Sequence, residues 1–150
     1  MKRSLPIALS SAAILWGACH SAKTTGNSTN NASTDSNITG RKWRLTEICG
    51  KPVAEIINGK IPFILLQDTG SSYSASAGCN GLGGRFTLSG NGRIKFSQGM
   101  STMMACDNME VETRFKKVLE QTDNYTVNGN TLSFNKARMA PIARFEAEEN

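Results

Sequence analysis

Apolar and polar residues alternate along most of the chain after residue 40, in short runs bounded by Gly, Asn and Ser. A repeat of two residues is typical of strands that bury one face. Trp43, Leu45 and Glu47 are therefore expected on one face of the first run. Arg44, Thr46 and Ile48 are expected on the other. Further strands are predicted in KIPFILLQ, SSYSASAG, GRFTLSG, GRIKFSQ, NYTVNGNTLSF and MAPIARFEA.

Two sets of turn residues divide these runs into hairpins. Asn91-Gly92 joins GRFTLSG to GRIKFSQ, and this dipeptide is a strong signal for a two-residue hairpin turn. A second hairpin turns at 128–130, Asn-Gly-Asn. Pro141 stands within the last run, so an edge strand or a bulge is expected there, because proline has no N–H to donate.

One segment has a helical repeat. Its apolar stripe is formed by Val111, Phe115, Val118, Leu119 and Thr122. Asp107 with Glu110 has the spacing of a capping box, which predicts a helix start at Asp107 or Asn108. Glu110 with Arg114, and Glu112 with Lys116, are expected to form exposed pairs one turn apart.

These elements predict a mainly β fold. About eight short strands with local connections favour an antiparallel sheet, and such a sheet curls or closes to protect its edges. We therefore expect a small barrel-like or strongly curved antiparallel sheet, with the single α-helix covering an open side or end.

The N-terminus has the pattern of an export signal. Lys2 and Arg3 precede an apolar stretch over 5–16, which is too short to span a bilayer. Gly17 and Ala18 then stand directly before Cys19, as in a bacterial lipobox, so we expect lipidation of Cys19. The alternative is a plain signal peptide with an incidental cysteine. Residues 1–18 are thus predicted to be a signal peptide.

The next segment lacks the apolar residues of a folded domain. Residues 19–40 are almost all Ser, Thr, Asn, Gly and Ala, which predicts a disordered tether after the lipidated cysteine. The domain is then expected over 41–147, lipid-anchored in the cell envelope, at the outer membrane or facing the periplasm.

The distribution of charge along the chain argues against nucleic-acid binding. The formal net charge is +5, and Lys2 and Arg3 of the signal supply two of these charges. Arg41, Lys42 and Arg44 form the one tight basic cluster. A nucleic-acid interface needs a concentrated basic face, so no nucleic-acid partner is expected.

No catalytic constellation can be named from the residues. The chain has a single histidine, His20, which lies in the predicted tether, so a Ser–His or Cys–His pair cannot form in the domain. The carboxylates at Asp68, Asp107, Glu47 and Glu55 show no spacing that singles out a pair. We therefore expect no enzyme activity.

No metal or cofactor is predicted either. Cys49, Cys79 and Cys106 are one ligand short of an ordinary structural zinc site, and none of them lies in a C-x-x-C spacing. Their thiolates with the methionines at 100, 103 and 104 would favour Cu(I) if they held any metal. The simpler interpretation is that these methionines fill gaps in the core.

Three blocks resemble the META domain, the family of the HslJ-like bacterial lipoproteins. They are WRLTEICGKPV at 43–53, AGCNGLGGRF at 77–86 and STMMAC at 101–106, with Glu112 and Phe115 downstream. The motif residues that match are Gly78, Asn80, Gly81, Thr102 and Met104, and we expect structural roles for them. The resemblance covers about 41–147. Cys49 departs from the family pattern.

The resemblance carries expectations of its own. It implies an antiparallel barrel-like β fold with a helix. Bacterial members are linked to heat-shock induction and to novobiocin resistance, and the family has no established enzymatic activity or ligand.

A disulfide between Cys79 and Cys106 is our main prediction for the domain cysteines. Export permits the bond, and the odd number of domain cysteines leaves Cys49 as the unpaired thiol. The bond would hold the start of the helix against the sheet. The alternatives are two buried free thiols, or pairing of Cys49 with either of the other two.

The sequence therefore predicts a non-catalytic, membrane-tethered envelope lipoprotein that acts as an interaction or stress-response module. Its expected partners are the membrane, through the lipid anchor, and an unidentified envelope protein, and we expect a monomer. The alternative is a small-molecule binding protein that uses the barrel interior, as larger barrels do.

Overall fold

The computed structural model describes residues 38–148. The predicted signal peptide, Cys19 and the predicted tether up to residue 37 lie outside the described residues. The strands are β1 (Lys42–Ile48), β2 (Lys51–Pro52), β3 (Phe63–Leu66), β4 (Ser72–Ser76), β5 (Gly81–Ser89), β6 (Arg93–Phe96), β7 (Met100–Ser101), β8 (Asn124–Asn128), β9 (Thr131–Asn135) and β10 (Ala143–Ala147). The helix is α1 (Glu110–Gln121).

Eight of these strands close into an antiparallel barrel. The order around it is β1, β3, β4, β5, β6, β8, β9 and β10, and β10 pairs with β1 to complete the ring. The two-residue strands β2 and β7 pair with β1 and β5. The predicted fold is confirmed.

The barrel has one weak seam, between β6 and β8. Arg93 and Asn124 form the one residue pair in the register of these strands, whereas the other neighbouring strands of the ring share at least three. The helix packs against β6 and β1, and the ring of its Phe115 lies 6.0 Å from that of Phe145. β1 and β6 lie on opposite sides of the ring, so the helix covers the barrel from one strand across to the other, in keeping with the covering helix that the sequence predicts.

Large side chains from the strands and the helix fill the interior. Fully buried ones include Trp43, Leu45, Ile64, Leu66, Ile94, Phe115, Leu132, Phe134 and Phe145. The rings of Phe96, Phe134 and Phe145 follow one another at centroid distances of 5.3 and 4.8 Å, which is the spacing of favourable aromatic pairs.

The first strand differs from its predicted pattern. The register between β1 and β10 shifts between Leu45 and Glu47, so Thr46 is an extra residue opposite no partner. A bulge of this kind reverses the alternation of faces. Ile48, predicted to lie opposite Trp43, is therefore buried in the same core.

Both predicted hairpins form, but the turn between β5 and β6 has three residues, 90–92, and not two, because Ser89 pairs with Arg93. The prediction for the last strand is wrong. Asn91 and Gly92 both have positive φ, 65° and 68°, as the turn between β5 and β6 requires. The second turn joins β8 to β9. β10 is an interior strand of the ring, paired with β9 and β1, and Pro141 precedes it without occupying an edge.

The helix begins later than predicted. It starts at Glu110 with Met109 at the N-cap, and Asn108 Oδ1 accepts the Glu110 N–H at 3.3 Å, so Asp107 is not the cap. Both expected ion pairs form, at 2.6 Å for Arg114–Glu110 and 2.8 Å for Lys116–Glu112. The second is not an exposed pair, because the Glu112 side chain is buried.

The folded domain extends before residue 41. Ile38 is buried, its carbonyl accepts the Trp43 indole N–H at 2.8 Å, and Thr39 bridges to Leu66. Residues 38–40, assigned from the sequence to the tether, therefore belong to the domain. Within 38–148 no helix has the length and apolar character needed to cross a membrane.

Candidate functional site

Antiparallel pairing places the loops of the barrel at two ends. At the end that we call distal, β1 finishes and β3 begins, so it carries the loops 49–62, 77–80, 102–109 and 136–142. At the proximal end β1 begins, and the turns 67–71, 90–92 and 129–130 lie there. The two sequence motifs meet at the distal end.

Asn80 joins these motifs. Its side chain is buried, and Oδ1 accepts hydrogen bonds from the Met104 N–H at 2.7 Å and the Thr102 hydroxyl at 2.8 Å. Its Nδ2 donates to the Met104 carbonyl at 3.1 Å and to Glu112 Oε1 at 3.0 Å. One amide thus holds the segment 102–104 and the helix, because every polar atom of its side chain is used.

Glu112 completes the network from the helix. Its Oε2 accepts the Asn80 backbone N–H at 2.7 Å, and its Oε1 also contacts Lys116 Nζ at 2.8 Å. Burial raises the pKa of this carboxyl, but the hydrogen bonds from Lys116 and Asn80 outweigh it, and the pKa lies below its usual 4.5. The carboxylate is therefore held ionised inside the fold.

The other motif residues shape this junction. The Gly81 N–H donates to the Thr102 hydroxyl at 3.1 Å, and the Thr102 N–H donates to the Gly81 carbonyl at 3.1 Å. Gly78 has a φ of 109°, and a Cβ on it would lie 2.5 Å from the Ile57 side chain. Only glycine fits there, since both the backbone conformation and the close approach exclude a side chain.

A disulfide lies beside the network. Cys79 and Cys106 are bonded, with an S–S distance of 2.03 Å and a Cα–Cα distance of 6.1 Å, which is the pairing expected from the sequence. Cys49, the remaining cysteine among the described residues, is exposed in the turn after β1 and is not part of the disulfide. The alternative pairings through Cys49 are absent from the structure.

Exposed apolar side chains concentrate at the same end. Five of the six large exposed ones in the described region lie in distal loops: Ile56, Ile61, Met103, Met104 and Met139. Met103 is 98% exposed. The sixth, Met100, is in β7 and is also exposed, so the interpretation of these methionines as core fillers is wrong. We call the five distal residues the apolar end.

The loops that carry the apolar end are tied to one another. The Cys49 N–H donates to the Ile142 carbonyl at 2.9 Å, Lys60 Nζ donates to the Cys79 carbonyl at 2.8 Å, and Asn58 Nδ2 donates to the Asn108 carbonyl at 2.8 Å. Together with the network around Asn80, these contacts hold the surface in one conformation.

Two other aspects of the site bear on chemistry. Residues 38–148 contain no group of three or more His, Cys, Asp or Glu side chains placed to hold a metal ion. The barrel interior is occupied by the buried side chains named above, so the structure gives no support to a ligand inside it.

Glu112 is the residue that the sequence analysis undervalued. It was assigned to an exposed ion pair because it lies one position outside the apolar stripe. The available signal was its place directly after Val111 and three residues before Phe115, which puts it at the edge of the buried face. Nothing in the sequence spacing connects it with Asn80, 32 residues away.

Comparison with known proteins gives one family and a set of solved structures that share one fold with this chain. The sequence matches the META domain over residues 36–149. No curated protein sequence shows significant similarity to the chain.

Three solved structures share the fold. An NMR structure of a protein from Burkholderia xenovorans is 19% identical with a TM-score of 0.60, covering 75% of this chain and 85% of that one. Another NMR structure is 22% identical with a TM-score of 0.58, covering 73% and 90%. A crystal structure of a DUF4847 family protein from Bacteroides vulgatus is 12% identical with a TM-score of 0.54, covering 76% and 95%.

Proposed function

The chain belongs to the META domain family, and from that premise we propose that it is a non-catalytic envelope lipoprotein that binds another envelope protein through its apolar end. The observation that carries this proposal is the concentration of exposed apolar residues at the distal end. Monomeric soluble proteins rarely expose contiguous apolar surface without a binding role.

The construction of the apolar end supports a binding role. Asn80, Glu112 and the disulfide fix the backbone of the segment that carries Met103 and Met104. A fixed backbone lowers the entropy cost of association, while flexible thioether side chains adapt to the partner surface.

The position of the apolar end also fits a tethered protein. Ile38, the first described residue, is buried, and Thr39 beside it bridges to Leu66 at the proximal end. A chain anchored through Cys19 would therefore enter the domain opposite to the apolar end, which leaves that end free to meet a partner. The lipid anchor, the envelope location and a role in stress response rest on the sequence pattern and the family resemblance.

Photo-crosslinking in intact cells tests the proposal. A photoreactive residue at Met103 should give a discrete adduct with one envelope protein, and the same residue at the exposed, proximal Asn130 should not. Adding Met104→Ser to the Met103 probe should reduce the adduct. Equal adducts at both positions, or none at Met103, would exclude the apolar end as the binding surface.

A second experiment tests the anchor separately. Mass spectrometry of the mature chain should show an acylated N-terminal Cys19, and Cys19→Ser should release the protein from membranes. An unmodified, freely soluble mature chain would contradict the lipoprotein assignment while leaving the binding surface untouched.

A further inference from the structure

A small cleft lies apart from the apolar end, between the helix and the segment 97–101. Its volume is about 200 Å³. Leu82 and Leu119 give it apolar walls, and Met100 lies at its outer side. Ser97, Gln98, Ser101, Lys116 and Glu120 add polar groups around it. The cleft is therefore amphipathic, with an apolar body and a polar margin.

Tyr73 supplies the deepest polar group. The residue is only 6% exposed, and its ring packs edge-on against Phe96 with centroids 5.2 Å apart. The hydroxyl makes no hydrogen bond within the described residues. It is also not completely buried, so it is exposed to solvent through the cleft. A buried hydroxyl normally has a hydrogen-bond partner, and a ligand in the cleft would supply one here.

Two glycines make room for this hydroxyl. A Cβ on Gly99 would lie 2.6 Å from it, and a Cβ on Gly84 would lie 2.9 Å from it. Neither glycine has a positive φ, so the requirement is one of space and not of backbone conformation. The glycines after Cys79 thus serve in part to bring the tyrosine side chain to the cleft.

The hydrogen-bond donors around the cleft favour a ligand group that accepts hydrogen bonds. Lys116 Nζ has one N–H directed to Glu112 and two more N–H groups available. Burial raises the pKa of Tyr73 above its usual 10, so its hydroxyl stays protonated and can donate. Two negative charges oppose a carboxylate here, the ionised Glu112 that contacts Lys116 and Glu120 at the margin, so recognition of the ligand rests on hydrogen-bond donors and not on net positive charge.

We propose that this cleft binds a small amphipathic carboxylate, of about the size of benzoate. One carboxylate oxygen accepts from the Tyr73 hydroxyl and from Lys116, and the apolar body packs between Leu82 and Leu119. The volume matches a small ligand, because sites for drug-sized molecules span about 300–1,000 Å³. This site goes beyond the proposed function and does not depend on the apolar end.

NMR titration of the full chain with sodium benzoate tests the site. Shift changes are expected at residues 97–101 and 116–120, with a Kd on the order of 1 mM for a ligand of about nine heavy atoms. Benzyl alcohol, which lacks the carboxylate, should bind more weakly at the same residues. Changes confined to the distal loops, or none in this concentration range, would overturn the proposal.

Two pairs of variants sharpen the test. Tyr73→Phe should weaken benzoate binding about five-fold through loss of one hydrogen bond, whereas Tyr125→Phe, which removes the chain's other phenol, should not. Glu120→Gln, at an exposed helix position, should tighten binding about two-fold, and Glu110→Gln on the first turn should not. Benzoate affinity that is unchanged in both Tyr73→Phe and Glu120→Gln would refute the assigned contacts.

Discussion

The two ends of the barrel are built by different means. The proximal turns are short, and residues that are neighbours in sequence, such as Asn91 and Gly92, define their conformation. The distal loops are long, and contacts between residues 24 or more positions apart hold them: Asn80 to Met104 and Glu112, and Cys79 to Cys106. The difference shows that a small barrel can combine locally specified turns at one end with loops at the other end that long-range contacts hold together.

Removal of the disulfide should have the largest effect and should act on the distal end. The double change Cys79→Ala with Cys106→Ala is expected to lower the free energy of unfolding by about 3.5 kcal/mol, because the cysteines are 27 positions apart and the unfolded chain regains the freedom of that loop. Urea denaturation measures the loss. Cys49→Ala is the matched control and should change stability little, since Cys49 is exposed.

Hydrogen exchange then locates that effect. Amides of the distal segments 78–81 and 102–106 should lose protection in the double variant, and those near the 90–92 turn should keep theirs. Equal loss of protection at both ends would mean that the ends are not independent.

The same substitution at one asparagine of each end, Asn80→Ala and Asn91→Ala, compares the stability of the two ends. Asn80→Ala should cost about 3 kcal/mol, because it removes the partner of the Met104 backbone N–H and C=O and one of the hydrogen bonds to the buried Glu112. Asn91→Ala should cost about 1 kcal/mol, the penalty for placing alanine at a φ of 65°. Chemical denaturation of both variants gives the comparison, and similar costs would contradict it.

A glycine from each end allows the same comparison of stability, through Gly78→Ala at the distal end and Gly129→Ala at the proximal end. Both residues have positive φ, but a Cβ at Gly78 would meet the Ile57 side chain at 2.5 Å, whereas a Cβ at Gly129 meets nothing within 4 Å. We expect losses of about 2 kcal/mol and about 1 kcal/mol, respectively, from thermal or urea unfolding. A larger loss at Gly129 would show that backbone conformation outweighs the distal packing.

Acid should weaken the distal end through Glu112. The folded-state pKa of this carboxyl lies below its usual 4.5, so its contribution to stability is complete above that pH and is lost as the pH falls through the folded value. Glu112→Gln should therefore flatten the stability profile below pH 4.5. Asp123, whose pKa is also lowered, by Asn124 and the Ala137 N–H, keeps its own contribution in that variant. An unchanged profile would exclude Glu112 as the acid-sensitive group.

The sequence anticipated the features that depend on near neighbours. Period-two alternation predicted the strands, the Asn-Gly pair predicted the hairpin, and the spacing of Phe115 with Val118 and Leu119 predicted the buried helix face. Alternation failed in β1, because the bulge at Thr46 is a property of the pairing with β10 and not of the strand alone.

The sequence by itself therefore determined a mainly β domain with one helix, since this follows from periodicity and turn residues. The motif residues came from the resemblance to the META domain, and the count of cysteines left several pairings open. Only the tertiary structure decided that Glu112 is buried against Asn80, that Met103 and Met104 point to solvent, and that Tyr73 meets a cleft beside Lys116. The physical reason is that burial of a polar group depends on partners supplied by distant strands, which closure of the barrel brings together.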